Sequence, residues 1–114
     1  MIGKVANVNW VEGERNPDFS LNLVAALNQI KKVQPALTFI TTPNNPTGTS
    51  LSISEIEELA KATSQVNGLL IVDEAYAEFS KESSAITLIS KYPNILVSRT
   101  MSKAFAFAGV RLGY

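Results

Sequence analysis

Three short apolar runs, ALTFIT (36–41), GLLIV (68–72) and NILVS (94–98), recur along the chain with segments of helical periodicity between them. This recurrence constrains the fold more than any other feature. A run such as GLLIV has no polar alternation, so it suits a strand covered on both faces, the situation of strands in parallel sheets. Parallel neighbours cannot be joined by a tight hairpin and need a crossover, usually a helix. The expected architecture is therefore α/β, a three-layer α/β/α arrangement with a mostly parallel sheet and right-handed crossovers.

The intervening segments fit that scheme. LNLVAALNQIKK (21–32) places Leu23, Ala26, Leu27 and Ile30 on one helical face, with Ser20 as the expected cap. SEIEELAKATSQV (54–66) carries Ile56, Leu59, Ala60 and Thr63 on one face, and its Ser54-x-x-Glu57 reads as a capping box. SAITLISKY (84–92) reads as a short helix and KVANVNWV (4–11) as a further strand. Repeats, low-complexity tracts and linkers are absent from the sequence.

Composition removes several chemistries. The 114 residues contain neither histidine nor cysteine, so a Ser-His-Asp triad, a Cys-His pair and an ordinary zinc site cannot be built within them. Acid–base or nucleophilic work falls to lysine, tyrosine or a carboxylate. Ten basic and ten acidic residues balance, with no basic stripe for a nucleic acid or an anionic membrane surface. No apolar run approaches the length of a membrane span. The absence of cysteine makes a reducing cytoplasm the default expectation.

The expected fold gives the polar residues a common address, because open parallel sheets bind ligands beyond the carboxyl ends of their strands. ALTFIT runs into Pro43-Asn44-Asn45-Pro46-Thr47-Gly48, GLLIV into Asp73-Glu74-Ala75-Tyr76, and NILVS into Arg99-Thr100-Met101-Ser102-Lys103. Singly, each has a plain structural explanation. PNNPTG can be only a turn, Asp73 a helix cap or surface loop residue, Tyr76 a ring at the core edge with its hydroxyl in water, and Lys103 a surface charge. Their convergence on one rim argues for a site.

These motifs, at these spacings, resemble the class I/II aminotransferases of fold type I, which depend on pyridoxal 5'-phosphate. Asn45-Pro46-Thr47-Gly48, Asp73-x-x-Tyr76 and Ser102-Lys103 with Arg111 eight residues on carry the resemblance. So do the steps of 28 residues from Asn45 to Asp73 and 30 from Asp73 to Lys103. Within the family, PNNPTG, VDEAYAEF and RTMSKAFAFAGVRLGY are most similar to histidinol-phosphate aminotransferases. The resemblance implies that Lys103 is the catalytic amine that joins the cofactor aldehyde, and that Asp73 faces the pyridine nitrogen. It further implies that Asn45 and Tyr76 bind the 3-oxygen, and that Thr100, Ser102 and Arg111 bind the phosphate. A metal is not implied. The implied reaction is amino transfer from an amino-acid or amino-phosphate donor to a 2-oxo acid, namely histidinol phosphate with 2-oxoglutarate in histidine biosynthesis, in a homodimer. Residues 1–114 are then part of one cofactor-binding large domain, with an N-terminal segment and a C-terminal small domain expected outside them. Another aminotransferase of the class (aromatic or aspartate), a related lyase, or an inactive fragment are the competing readings.

Overall fold

The computed structural model describes residues 8–114. Among the described residues two α-helices and three strands follow one another as α1 (Leu23–Val33), β1 (Leu37–Thr41), α2 (Ile53–Gln65), β2 (Leu69–Asp73) and β3 (Ile95–Ser98), with no α-helix between β2 and β3. The segment Lys4–Val11, expected as a strand, lies partly outside the described residues. Its described part, Val8–Val11, is not a strand, and Val8, Trp10 and Val11 are exposed.

Local chemistry accounts for the helix ends, though not with the residues expected. α1 is capped by Asn22, whose Oδ1 accepts from the Ala25 N–H at 3.0 Å. Ser20 lies farther back and donates its hydroxyl to Asp18 Oδ1 at 2.6 Å. Lys31 and Lys32 occupy the last turn, where positive charge suits the helix dipole. α2 begins two residues earlier than its Ser54-x-x-Glu57 motif suggests. Its capping box is Ser52 with Glu55, each side chain satisfying the other's backbone N–H. Both frames read Ser-x-x-Glu, and the choice falls on the one that frees Glu57 to bind Lys91 and the Tyr92 hydroxyl, each at 2.6 Å. The segment 84–92, expected as a helix, forms only a 3-10 turn, Ala85–Leu88, opened by the Ser84 hydroxyl.

The sheet is parallel throughout its three strands, in the order β1-β2-β3. Register places Leu70 opposite Thr38 and Ile95, and Val72 opposite Ile40 and Val97. This face packs on α2, where Ile56, Leu59, Ala60 and Thr63 are the buried positions, as the periodicity indicates. Fully burying a side chain such as Leu59 or Leu70 stabilises by about 1.5–3 kcal/mol each. Thr63 pairs its buried hydroxyl with the Leu59 and Ala60 carbonyls and accepts from Asn94 Nδ2, so α2 is also tied by hydrogen bonds to the start of β3. Gly68 admits no larger residue, because a Cβ there would lie 2.4 Å from the Pro35 carbonyl oxygen.

The opposite sheet face carries Leu37, Phe39, Leu69 and Leu96, all exposed, with Phe39 at 67%. At its carboxyl edge the same face presents Thr41, Asp73 and Ser98 in register. Pairing between successive strand ends thus brings the three polar loops onto one rim.

Candidate active site

The loop after β1 is organised by Asn44. Its Oδ1 accepts from the Thr41 hydroxyl at 2.7 Å and its Nδ2 donates to Thr47 Oγ1 at 2.8 Å. Thr47 continues to Thr49, which donates to the Phe19 carbonyl. Gly48 closes the turn with φ 71, a conformation natural to glycine, and donates its N–H to the Asn44 carbonyl at 2.7 Å. With Asn44 held inward, the exposed Asn45 directs its amide across the rim and donates to the Tyr76 hydroxyl at 3.1 Å.

β2 ends in Asp73, half-buried, with Oδ1 accepting from the Ala75 N–H at 3.0 Å. The turn that this bond closes carries Tyr76. Among the described residues the Asp73 carboxylate has no ion-pair partner. The neighbouring Glu74 behaves oppositely. It is 2% exposed, and a carboxylate so buried must be paired. Its Oε2 accepts from Arg99 Nε at 3.1 Å, Arg99 Nη2 at 2.8 Å and the Ser84 hydroxyl at 2.7 Å, and its Oε1 from the Ala85 N–H at 2.7 Å. Hydrogen bonding to Glu74 raises the Arg99 pKa above its ordinary value.

After β3 the chain leaves the parallel sheet and folds back on itself. Arg99 exchanges two backbone hydrogen bonds with Tyr114, Met101 N–H donates to the Leu112 carbonyl, and Thr100 bridges Gly113 antiparallel. The enclosed loop holds Ser102, Lys103 and Arg111. Thr100 Oγ1 donates to Ser102 Oγ at 3.0 Å and accepts from the Ser102 N–H at 3.1 Å. Lys103 is exposed, and its ammonium lies 5.4 Å from the centroid of the Tyr76 ring. That distance is within cation–π range. It has no carboxylate partner among the described residues.

The structure therefore joins Asn45, Tyr76 and Lys103 in one contact chain, pairs Thr100 with Ser102, and sets Asp73 at the root of the turn that carries Tyr76. Arg111 stands apart. It is exposed, in the left-handed region at φ 56, with Nη1 donating at 3.4 Å to the Ala108 carbonyl and to none of the other candidate residues. Glu74 and Arg99 were not singled out from sequence. The signal available was an acidic residue just after one buried strand and an arginine just after the next, which a parallel register makes neighbours.

The donor set suits pyridoxal phosphate. An uncompensated carboxylate at a strand end can hold a protonated ring nitrogen, and a primary amine over the rim can reach an aldehyde. The paired hydroxyls of Thr100 and Ser102 can serve a phosphate.

Comparison with known proteins agrees with that chemistry. Residues 2–114 match the family model of "Aminotransferase class I and II". The chain belongs to the class I and II aminotransferases. A histidinol-phosphate aminotransferase of Thermobifida fusca (strain YX) is 48% identical over 116 residues, covering all of this chain and 31% of the relative. The crystal structure of the histidinol-phosphate aminotransferase from Clostridium acetobutylicum superposes with a TM-score of 0.89 at 26% identity, over 97% of this chain and 33% of that one. A decarboxylase from Sulfurospirillum multivorans superposes at 0.75 with 33% identity, over 84% and 28%. The chain thus spans about a third of the length of these class I and II relatives.

Proposed function

We propose that the whole protein is a pyridoxal-phosphate-dependent aminotransferase that moves the amino group of histidinol phosphate to 2-oxoglutarate. The observation that carries the reading is the Asn45–Tyr76–Lys103 chain at the rim of a parallel sheet where β2 ends in Asp73, which has no ion-pair partner among the described residues. The relatives named above support the donor.

When bound, pyridoxal phosphate supplies an electron sink that lets the substrate Cα proton leave. Asp73 keeps a proton on the ring nitrogen, its own charge stabilised by that cation. Asn45 and Tyr76 orient the ring by hydrogen bonding its 3-oxygen. Lys103 would supply the primary amine that holds the aldehyde group and, when free, would carry the substrate Cα proton as a general base. Thr100 and Ser102 would donate hydroxyls to the phosphate, and Arg111, exposed and bonded only to the Ala108 carbonyl, would supply the guanidinium. On this reading the whole protein works as a cytoplasmic homodimer. The support is a sequence without cysteine and the family to which it belongs.

The test is absorbance titration of the full-length protein with pyridoxal phosphate, followed by assay of glutamate formed from histidinol phosphate and 2-oxoglutarate. Glutamate formation supports the reading. Preference for aspartate as donor overturns the substrate, and failure to take up cofactor overturns the whole. Likeness to the decarboxylase favours a second reading, decarboxylation of an amino acid on the same residues, which carbon dioxide release in place of glutamate would establish.

A further inference from the structure

We propose that the ion pair between the buried Glu74 and the partly exposed Arg99 is a positioning device that keys the Lys103 loop to the strand end bearing Asp73. The proposal rests on the function proposed above and assigns to that site two residues that do not touch its ligand.

The geometry makes Glu74 the meeting point of three segments. It follows Asp73 directly, and its backbone N–H donates to the Ser98 carbonyl at 2.9 Å, across the end of the β2–β3 register. Its side chain takes both Arg99 donors on one oxygen, and with the Ser84 hydroxyl and the Ala85 N–H it also anchors the 3-10 turn. Arg99 in turn is the first residue of the fold-back, bonded through N–H and carbonyl to Tyr114, and precedes Thr100, Ser102 and Lys103. The Glu78 carboxylate, 3.8 Å from Arg99 Nη1, adds a second, looser acid on the same guanidinium. One planar fork therefore connects the turn carrying Tyr76 with the loop carrying the lysine.

Surface ion pairs hold geometry poorly because solvent competes for both partners. Glu74 is withdrawn from water, so exchanging its partners leaves a buried charge uncompensated and the arrangement has one low-energy state. The exposed loop 102–111 has no comparable anchor. The Phe107 N–H on the Met101 carbonyl, the pairing of Arg99 and Met101 with Tyr114 and Leu112, and this fork fix its base. Placing a reacting amine about 1 Å out of register can cost about a hundredfold in rate.

The experiment uses full-length protein with Glu74→Gln and Arg99→Lys. Glu74→Gln keeps the shape and loses the charge, whereas Arg99→Lys keeps the charge and loses the fork. Three measurements are made: backbone amide exchange at Met101 and Tyr114 in cofactor-free protein, the pH titration of the absorbance of the cofactor–Lys103 linkage, and kcat against KM. Positioning requires faster exchange at both amides, a displaced titration midpoint, and a kcat lower by about a hundredfold with little change in KM. If Glu74→Gln does not fold, Arg99→Lys decides by the same measurements. A folded variant with a lowered unfolding temperature but wild-type exchange, titration and kcat would show a purely structural pair and overturn the proposal. Wild-type protein that takes up no cofactor would overturn the proposed function, whereas the amide exchange would still judge the anchoring of the loop.

Discussion

The Asn45 amide donates to the Tyr76 hydroxyl at 3.1 Å, so the loop after β1 and the turn after β2 meet on top of the sheet, 31 residues apart in sequence. Tyr76 is held by its hydroxyl on one side and offers its ring to the Lys103 ammonium on the other. Removing the hydroxyl alone separates these two roles.

Tyr76→Phe is expected to keep the ring beneath Lys103 and to lose both the bond to Asn45 and the one proposed to the cofactor's 3-oxygen. A single hydrogen bond of this kind contributes about 1 kcal/mol, so cofactor affinity should fall by about fivefold. Fluorescence titration with pyridoxal phosphate checks this. An unchanged affinity would remove Tyr76 from the cofactor-binding set.

Lys103→Ala is expected to abolish the covalent link and with it turnover. Lys91 cannot substitute, because it is bound to Glu57 on the α2 side at 2.6 Å. Borohydride reduction followed by peptide mass mapping reads the outcome; label retained on another lysine would contradict the assignment.

Asp73→Asn should leave cofactor uptake largely intact while lowering turnover by orders of magnitude, since an amide cannot hold the ring nitrogen protonated. Steady-state rates on cofactor-saturated enzyme provide the check. A near-native rate would take Asp73 out of that role.

Ser52→Ala removes the capping-box hydroxyl that α2 uses, and is expected to cost about 1 kcal/mol of stability. Ser54→Ala, at the position the sequence pattern favours, should cost less. Thermal unfolding of the two variants side by side distinguishes the frames.

Acid should weaken the contact between α2 and the segment before β3. Hydrogen bonds from Lys91 and then Tyr92 lower the Glu57 pKa from 4.5 to about 2. A carboxylate whose folded pKa is depressed contributes stability that is complete above its unfolded value and disappears as the pH falls through the folded one. Stability should therefore decline between about pH 4.5 and about pH 2, and Glu57→Gln should flatten that part of the profile. Urea unfolding across this window is the measurement.

Much of the fold was legible from local pattern. The three apolar runs became the three parallel strands because short segments with no helical periodicity or polar alternation suit a parallel sheet, although the face carrying Leu37, Phe39, Leu69 and Leu96 is exposed. The face Ile56, Leu59, Ala60 and Thr63 was correct because helical geometry alone puts those side chains together. The position of the polar motifs in the fold was legible for a similar reason. Turn-formers, a carboxylate and a lysine directly after strands must all lie at the strands' carboxyl ends.

Sequence by itself determined the two helices, the three parallel strands and the strand ends after which Asn45, Asp73, Tyr76 and Lys103 lie. Tertiary structure decided which Ser-x-x-Glu frame caps α2, that residues 84–92 make only a short turn, and that Arg99 pairs with the buried Glu74. These outcomes depend on contacts between segments remote in the chain. Glu57 is drawn to Lys91 34 residues away, and Glu74 to Arg99 25 residues away. Periodicity and capping preferences act over a few residues, whereas the energy of a buried charge depends on which partner the packed chain brings to it.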